Sequence, residues 1–317
     1  MNQLNREKGS QSMHERLETE ITVGLITCNR PECIETLLSD LENQDDLPNK
    51  VLIGDNSTNR ETRQTVESYS GPLEIKYLKQ VPSTLQPEAR NQLIEKTDTE
   101  YIAFLDDDVR VAEDYISNLK NSISEHSEAG AWGGPVPDSD RECNIEVDVD
   151  SSSQNQNTVS KFGEVRSGKN HWIPPHPVET DLIPGGNMVF RTEDLREIGG
   201  FDENYRGNAY CEEDDVCVRI QRQVGDIIYD PDLLVYHYTA PSGGARQGEN
   251  LSYWQGRNQI YFVKKNFSEN YSEFLKKLVF KTEGQPPALW KDLAGMFVYR
   301  DFSRLSKFRG YIDEVIL

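Results

Sequence analysis

Patterned sequence begins at Ile21. The run ITVGLIT is apolar, rich in β-branched residues, and stops at Cys28-Asn29-Arg30-Pro31, which predicts a strand and then a turn. CIETLLSDLENQ follows with Ile34, Leu37, Leu38 and Leu41 at helical spacing. VLIGDNS reads as a second buried strand, RETRQTVESYS as a polar helix, LEIKYLK as a third strand and PEARNQLIEKT as a third helix. YIAFLDDD is a fourth strand that runs directly into three carboxylates. Residues 138–160 are polar with few apolar anchors and predict an excursion from the core. Strand and helix signals resume at LIPGGNMVFRTEDLREIGGFDE and continue through EEDDVCVRIQRQVGDIIYDPDLLVYHY.

Alternation of strand and helix over residues 21–108 predicts an α/β fold, a doubly wound and mostly parallel sheet with flanking helices. Ligands of such sheets sit beyond the carboxyl ends of the strands. Thr27-Cys28-Asn29, Asp55-Asn56-Ser57 and Asp106-Asp107-Asp108 would all lie on that edge.

Charge changes this picture in two ways. The chain of 317 residues carries 54 Asp+Glu against 34 Lys+Arg, a net charge of -20. A field of that sign repels polyanions and excludes nucleic acid as a partner. With a mean hydropathy of -0.70, it points to a polar, hydrated surface suited to high salt. From Gly256 onward, however, 11 basic residues face 7 acidic ones, so the tail is positive and the body more negative still. The five cysteines form no CxxC pair, which fits a reduced cytoplasmic setting. Residues 1–20 lack an apolar stretch and read as a flexible leader, not a signal peptide. No apolar run is long enough to span a membrane.

Candidate chemistry concentrates in four places. Three adjacent carboxylates after a buried strand repel one another, and a hard divalent cation shared with a diphosphate relieves that repulsion. An acidic turn in an acid-rich chain is the plainer reading of Asp106-Asp107-Asp108. Glu212-Glu213-Asp214-Asp215 precede Val216, Val218 and Ile220, so they either stabilise a helix start or supply a general base. His237 at a strand end is a structural histidine or a third ligand for a metal already held by carboxylate. GGARQGENLSYWQGRN brings Arg246 and Arg257 into a Gly-rich stretch, either a simple loop or one that closes over a diphosphate.

Taken in order, these motifs over residues 21–265 resemble the family 2 glycosyltransferases, inverting enzymes of the GT-A fold. LITCNRPECIETLLSDLENQ is similar to that family's opening strand-turn-helix, VLIGDNST to its second strand, EARNQLI to its Arg-Asn segment and FLDDDV to its metal motif. IPGGNMVFRTEDLREIGGFDENY and EEDDVCVRI resemble its acceptor-side segment and base-bearing helix. The resemblance implies a nucleotide-sugar donor and a divalent metal, Mn²⁺ or Mg²⁺. It puts Asp55 on the nucleobase and Asp106 on the ribose or sugar, with Thr27, Asn29, Arg30, Arg90 and Asp107 on the same nucleotide-sugar side. Asp108 becomes a metal ligand with His237 beside it, and Gly185, Gly186 and Asn187 fall on the acceptor or diphosphate side with Arg246 and Arg257. The family's base is the Asp of a Glu-Asp pair six residues before an Arg. Counting back from Arg219 lands on Glu213, where this chain has Glu-Glu, so Glu213 leads and Glu212 and Asp214 stand in reserve.

Residues 266–317 form a basic amphipathic region. Trp290, Met296, Phe297, Phe302, Leu305 and Phe308 interleave with Lys291, Arg300, Arg304, Lys307 and Arg309. Such a region packs on the catalytic domain or lies on the cytoplasmic membrane surface. Membrane contact implies a lipid-linked glycan acceptor, and the resemblance extends to haloarchaeal enzymes that build dolichol-phosphate-linked glycans for surface-layer glycoproteins, some of which transfer hexuronic acid. A polyprenyl-phosphate monosaccharide synthase and a glycan-binding module with an inactive site are the alternatives.

Overall fold

The computed structural model describes residues 19–138, 157–166, 172–240, 242, 251–279 and 303–316. The leader, most of the polar excursion, Arg246, and Trp290, Lys291, Met296, Phe297, Arg300 and Phe302 of the tail lie outside them.

The first half follows the predicted alternation: β1 (Ile21–Thr27), α1 (Pro31–Glu42), β2 (Lys50–Asp55), α2 (Glu61–Ser68), β3 (Ile75–Lys79), α3 (Gln86–Lys96) and β4 (Tyr101–Asp106). β1, β2 and β4 are buried almost throughout, as strands covered on both faces must be. α1 opens with Pro31 in its first turn, where the missing N–H costs nothing, and buries the Ile34, Leu37, Leu38, Leu41 stripe. β3, β2, β1 and β4 pair in parallel in that order.

The second half contains β5 (Val109–Val111), α4 (Tyr115–Glu125), β6 (Ala131–Gly133), β7 (Thr158–Val159), β8 (Val165–Arg166), β9 (Val178–Thr180) and β10 (Asn187–Arg191). Then come α5 (Thr192–Glu197), α6 (Glu212–Gln223), β11 (Ile227–Tyr229), β12 (Val235–His237), α7 (Leu251–Asn266), α8 (Tyr271–Val279) and α9 (Ser303–Ile316). The sheet continues past β4 as β10-β6-β11-β9. β10 runs antiparallel to both β4 and β6, and β9 antiparallel to β11, so the sheet is mixed, with its parallel part on the N-terminal side. Register places Asn187 opposite Leu105. The chain entering β10 therefore passes beside the end of β4.

Alternate strand residues sort into two layers. Val23, Leu25, Val51, Ala103, Leu105, Trp132 and Val189 meet α1 and α4 on one face. Leu52, Ile102, Phe104, Met188, Phe190 and Tyr229 meet α3, α5 and α6 on the other. A third cluster joins α6 to α7, α8 and α9 through Val218, Ile260, Phe262, Phe274 and Tyr311. α7 and α9 cross closely: a Cβ on Gly256 would stand 2.2 Å from the Lys307 carbonyl oxygen, and one on Gly310 would stand 2.0 Å from that of Tyr253. Arg257 joins this contact through an ion pair to buried Glu314 at 3.0 Å. The C-terminal helix is thus packed on the body, as one of the two expectations for the tail held.

Candidate active site

β4 carries Asp106 to the carboxyl edge of the sheet, and the turn through Asp107 and Asp108 leads into β5. β12 pairs antiparallel with β5, setting His237 opposite Val109, and the Tyr238 amide donates to the Asp108 carbonyl at 2.7 Å. His237 Nε2 consequently lies 3.2 Å from Asp108 Oδ1, and its Nδ1 lies 2.8 Å from the Asp138 carboxylate. Ligand atoms of Asp106, Asp108 and His237 all fall within 4.8 Å of one another.

The electrostatics favour a cation here. The hydrogen bond to Asp108 raises the His237 imidazole to about 9 against the opposing effect of burial, with Asp138 assisting. Burial works against ionised Asp108, but His237, Arg30 and the Ala240 amide outweigh it and hold the carboxyl below its ordinary value. Two hard carboxylate oxygens and one imidazole make a donor set that fits Mn²⁺ or Mg²⁺.

Asp107 turns the other way. It is buried, accepts from Thr27 Oγ1 at 2.7 Å and pairs with Arg30 Nη1 at 2.6 Å. Burial pushes its carboxyl up to about 6, with Arg30 and Thr27 resisting. Arg30 also reaches Asp108 at 3.1 Å and donates from Nε to the Ser242 carbonyl at 2.9 Å. It therefore braces the turn and also lines the cleft.

The acidic run occupies the first turn of α6, and helical rotation divides it. Glu212 and Asp215 point into the protein. Glu212 pairs with buried Arg90, which also donates to the Gly185 carbonyl at 3.0 Å and lies over the rings of Phe104 and Phe201. Asp215 accepts from Tyr205, Arg219, Lys265 and Asn266. Glu213 and Asp214 line the cleft instead. Burial raises the Glu213 carboxyl, as does Asp106, while Arg90 opposes. Burial and the adjacent Glu213 push Asp214 up to about 7.

The cleft is about 880 Å³ and brings together Thr27, Arg30, Arg90, Asp106, Asp107, Asp108, Gly185, Gly186, Glu213, Asp214 and His237. Gly186 sits close to the carboxylates: a Cβ there would stand 2.9 Å from Asp106 Oδ2.

Five sequence candidates do not line the cleft. Glu212 is committed to Arg90. Asp55 is fully buried, accepting from Tyr77 Oη at 2.5 Å and the Ser57 amide at 2.7 Å. Its neighbour Asn56 lines the cleft instead. Asn29 adopts a left-handed turn (φ 55°) and accepts from Thr58. Asn187 is buried between Tyr115 Oη at 2.6 Å and the Leu233 carbonyl at 2.6 Å. Arg257 faces α9 and the Asn204 carbonyl rather than a diphosphate. Conversely, the sequence reading passed over Asn208, Tyr210, Leu251 and Gln255, which line the cleft. Only the aromatic placed just before the acidic run hinted at this wall.

Residues 22–174 match the family described as Glycosyl transferase family 2. The chain carries that domain, and it is a glycosyltransferase. No curated protein matches the sequence. Among solved structures it is similar to S. aureus TarS 1-349 in complex with UDP-GlcNAc, at 17% identity and a TM-score of 0.57, covering 92% of this chain and 89% of that one. The mannosyltransferase PcManGT from Pyrobaculum calidifontis, in complex with GDP-Man and Mn²⁺, matches at 15% identity and 0.55, covering 93% and 87%. GalNAc-T7 with UDP, GalNAc and Mn²⁺ matches at 14% and 0.63, over 92% of this chain but 54% of that one. Identities this low speak to the fold, which is GT-A.

Proposed function

We propose that this chain is a metal-dependent, inverting glycosyltransferase that moves a sugar from a nucleotide-sugar to a lipid-linked glycan. One observation carries the reading: the Asp106–Asp108–His237 trio and the Glu213 carboxylate open onto the same cleft. The family match supports the class, and the resemblance of the fold to proteins solved with UDP-GlcNAc or with GDP-Man and Mn²⁺ supports the donor type.

A divalent cation held by Asp106, Asp108 and His237 would neutralise charge on the departing diphosphate. Arg30 holds Asp107 and Asp108 in place, so the turn keeps its shape as a charged donor enters. Gly186, bare of a side chain, leaves room for the donor sugar beside Asp106. Glu213 accepts the proton of the acceptor hydroxyl as its oxygen bonds to the anomeric carbon, and the bond to the diphosphate breaks on the opposite side, inverting that centre. Its raised carboxyl is a stronger base than an ordinary glutamate. Asp214 lies in the same wall and is the substitute base.

On the acceptor side, the positive charge of residues 256–317 against the acidic body supports peripheral contact with the cytoplasmic face of the membrane. No helix among the described residues is long and apolar enough to cross one. The acidity suited to high salt extends the reading to dolichol-phosphate-linked glycans of surface-layer N-glycosylation. The test is a screen of nucleotide-sugars with Mn²⁺ and membrane lipid extract, read by mass spectrometry beside Asp108→Ala. An extended lipid-linked glycan, lost in the variant, is expected. Activity unaffected by Asp108→Ala would overturn the metal site, and one sugar on a bare lipid phosphate would overturn the acceptor.

A further inference from the structure

The cleft has a wall that the donor chemistry leaves unused. It is formed by the loop entering α6, where Asn208 and Tyr210 line the cavity, and by Leu251 and Gln255 on the first turns of α7. Tyr210 is 40% exposed, one of five large apolar side chains so placed among the described residues. Its hydroxyl is held above its ordinary value, by burial first and then by the acidic neighbours Asp214 and Glu213. The side chain thus lies open at the cleft, in the wall that also holds Glu213 and Asp214.

The loop is held firmly in this position. Gly207, Ala209 and Cys211 all have left-handed backbones (φ 67°, 52° and 69°), and two of the three are not glycine. Such conformations persist only where the surroundings enforce them. Trp254 of α7 is one enforcer: a Cβ on Gly207 would fall 2.1 Å from its indole. Another is Asn258, which is fully buried and donates to the Arg206 carbonyl at 2.9 Å. Arg257 donates to the Asn204 carbonyl at 2.6 Å from the same helix.

An exposed aromatic on a firmly held loop, sharing its wall with two carboxylates and two amide side chains, suits a pyranose. The C–H face of a sugar would cover the ring, and its hydroxyls would meet Asn208, Gln255 and the acids. Among the described residues, the cations lining the cleft are Arg30, Arg90 and His237, and all three face carboxylates. An acceptor phosphate at this wall would meet Glu213 and Asp214 with no compensating charge among the described residues.

We propose that Tyr210 is the stacking platform of an acceptor subsite that takes a neutral sugar ring, so that the attacking group is a glycan hydroxyl and not a bare lipid phosphate. This rests on the glycosyltransferase reading and narrows its acceptor. Mn²⁺-dependent turnover of a nucleotide-sugar tests that underlying reading first, and its absence with every donor would remove both. With an active donor, p-nitrophenyl glucoside, galactoside, mannoside and N-acetylglucosaminide are offered in parallel with farnesyl phosphate. The expected result is transfer to at least one glycoside and none to farnesyl phosphate. Tyr210→Ala should raise the KM for that glycoside at least tenfold while kcat falls less than threefold, and Tyr210→Phe should restore KM to within threefold of the original. A melting curve confirms that each variant is folded. Transfer to farnesyl phosphate, no transfer to any glycoside, or an unchanged KM in Tyr210→Ala would each overturn the platform.

Discussion

The two halves of the sheet present their polar groups by different means. Where β3, β2, β1 and β4 run parallel, Thr27 and Asp106 reach the cleft directly from strand ends, with Asp107 and Asp108 one turn beyond. Past β10 the strands are three to five residues long, and functional groups come from a helix, two loops and β12. Strand ends are fixed by ladder hydrogen bonds, so this wall of the cleft inherits its geometry from the backbone. On the opposite wall, geometry depends on side-chain ties such as Arg90–Glu212 and on the crossing of α7 with α9. Substitutions in the first half should therefore act on chemistry, and many in the second on stability or acceptor binding.

The largest effect tests the donor side. Asp108→Ala removes a carboxylate from the trio, and kcat with Mn²⁺ should fall by about a thousandfold or more with little change in melting temperature. A fall in stability as large as that in rate would show that the turn is held by Asp108 itself. Next comes Glu213→Gln, which keeps the shape but cannot accept a proton; kcat should drop by about a hundredfold to ten-thousandfold, with the donor KM little altered. If Glu212→Gln proves equally costly to kcat while the fold is retained, the division of acids along α6 is wrong.

Arg90→Leu should instead appear in urea unfolding. It strands the Glu212 carboxylate in an apolar setting, at a cost of about 3–5 kcal/mol. Adding Glu212→Leu should recover most of that loss, because two apolar side chains need no partner. Gly310→Ala is expected to cost about 1–3 kcal/mol, since its new methyl group meets the Tyr253 carbonyl and α9 must shift. The smallest effect is on pH. Asp214 lies near 7 and the Glu213 carboxyl is raised, so the pair binds a proton as pH falls through neutrality. Protonation removes the base, so kcat/KM should decline on the acid side. Asp214→Asn should move that decline to lower pH, because Glu213 loses a negative neighbour. A limb that stays in place would assign it to another group.

The same contrast explains what could be read in advance. β1 to β4 were legible because a continuous apolar run between helical stripes has one good solution, and the polar residues that end such runs must lie at the edge. His237 was nameable as a candidate ligand from its type, although its alignment with Asp108 depends on the β5–β12 pairing 128 residues apart in the chain. Asp55 and Asn187 stand away from the cleft lining because a polar residue at a strand end can turn inward. Tyr77 and Tyr115 supply hydroxyls there that no local pattern shows. The antiparallel β10 was also hidden, since NMVFR is as apolar as a parallel strand. Arg90 and Glu212, separated by 122 residues, each look like surface groups until the fold joins them.

The first turn of α6 has one more implication. Its four acids are told apart by angle about the helix axis, not by residue type, and each step along the chain turns a side chain by about 100°. Exchanging Glu213 for Asp keeps the address and alters only the reach. Inserting or deleting one residue between Tyr210 and Glu212 would do the reverse. Composition would be nearly intact, yet Arg90 would face a different partner and the cleft a different carboxylate. Length in this loop should therefore be far less free to drift than the identity of the acids it delivers.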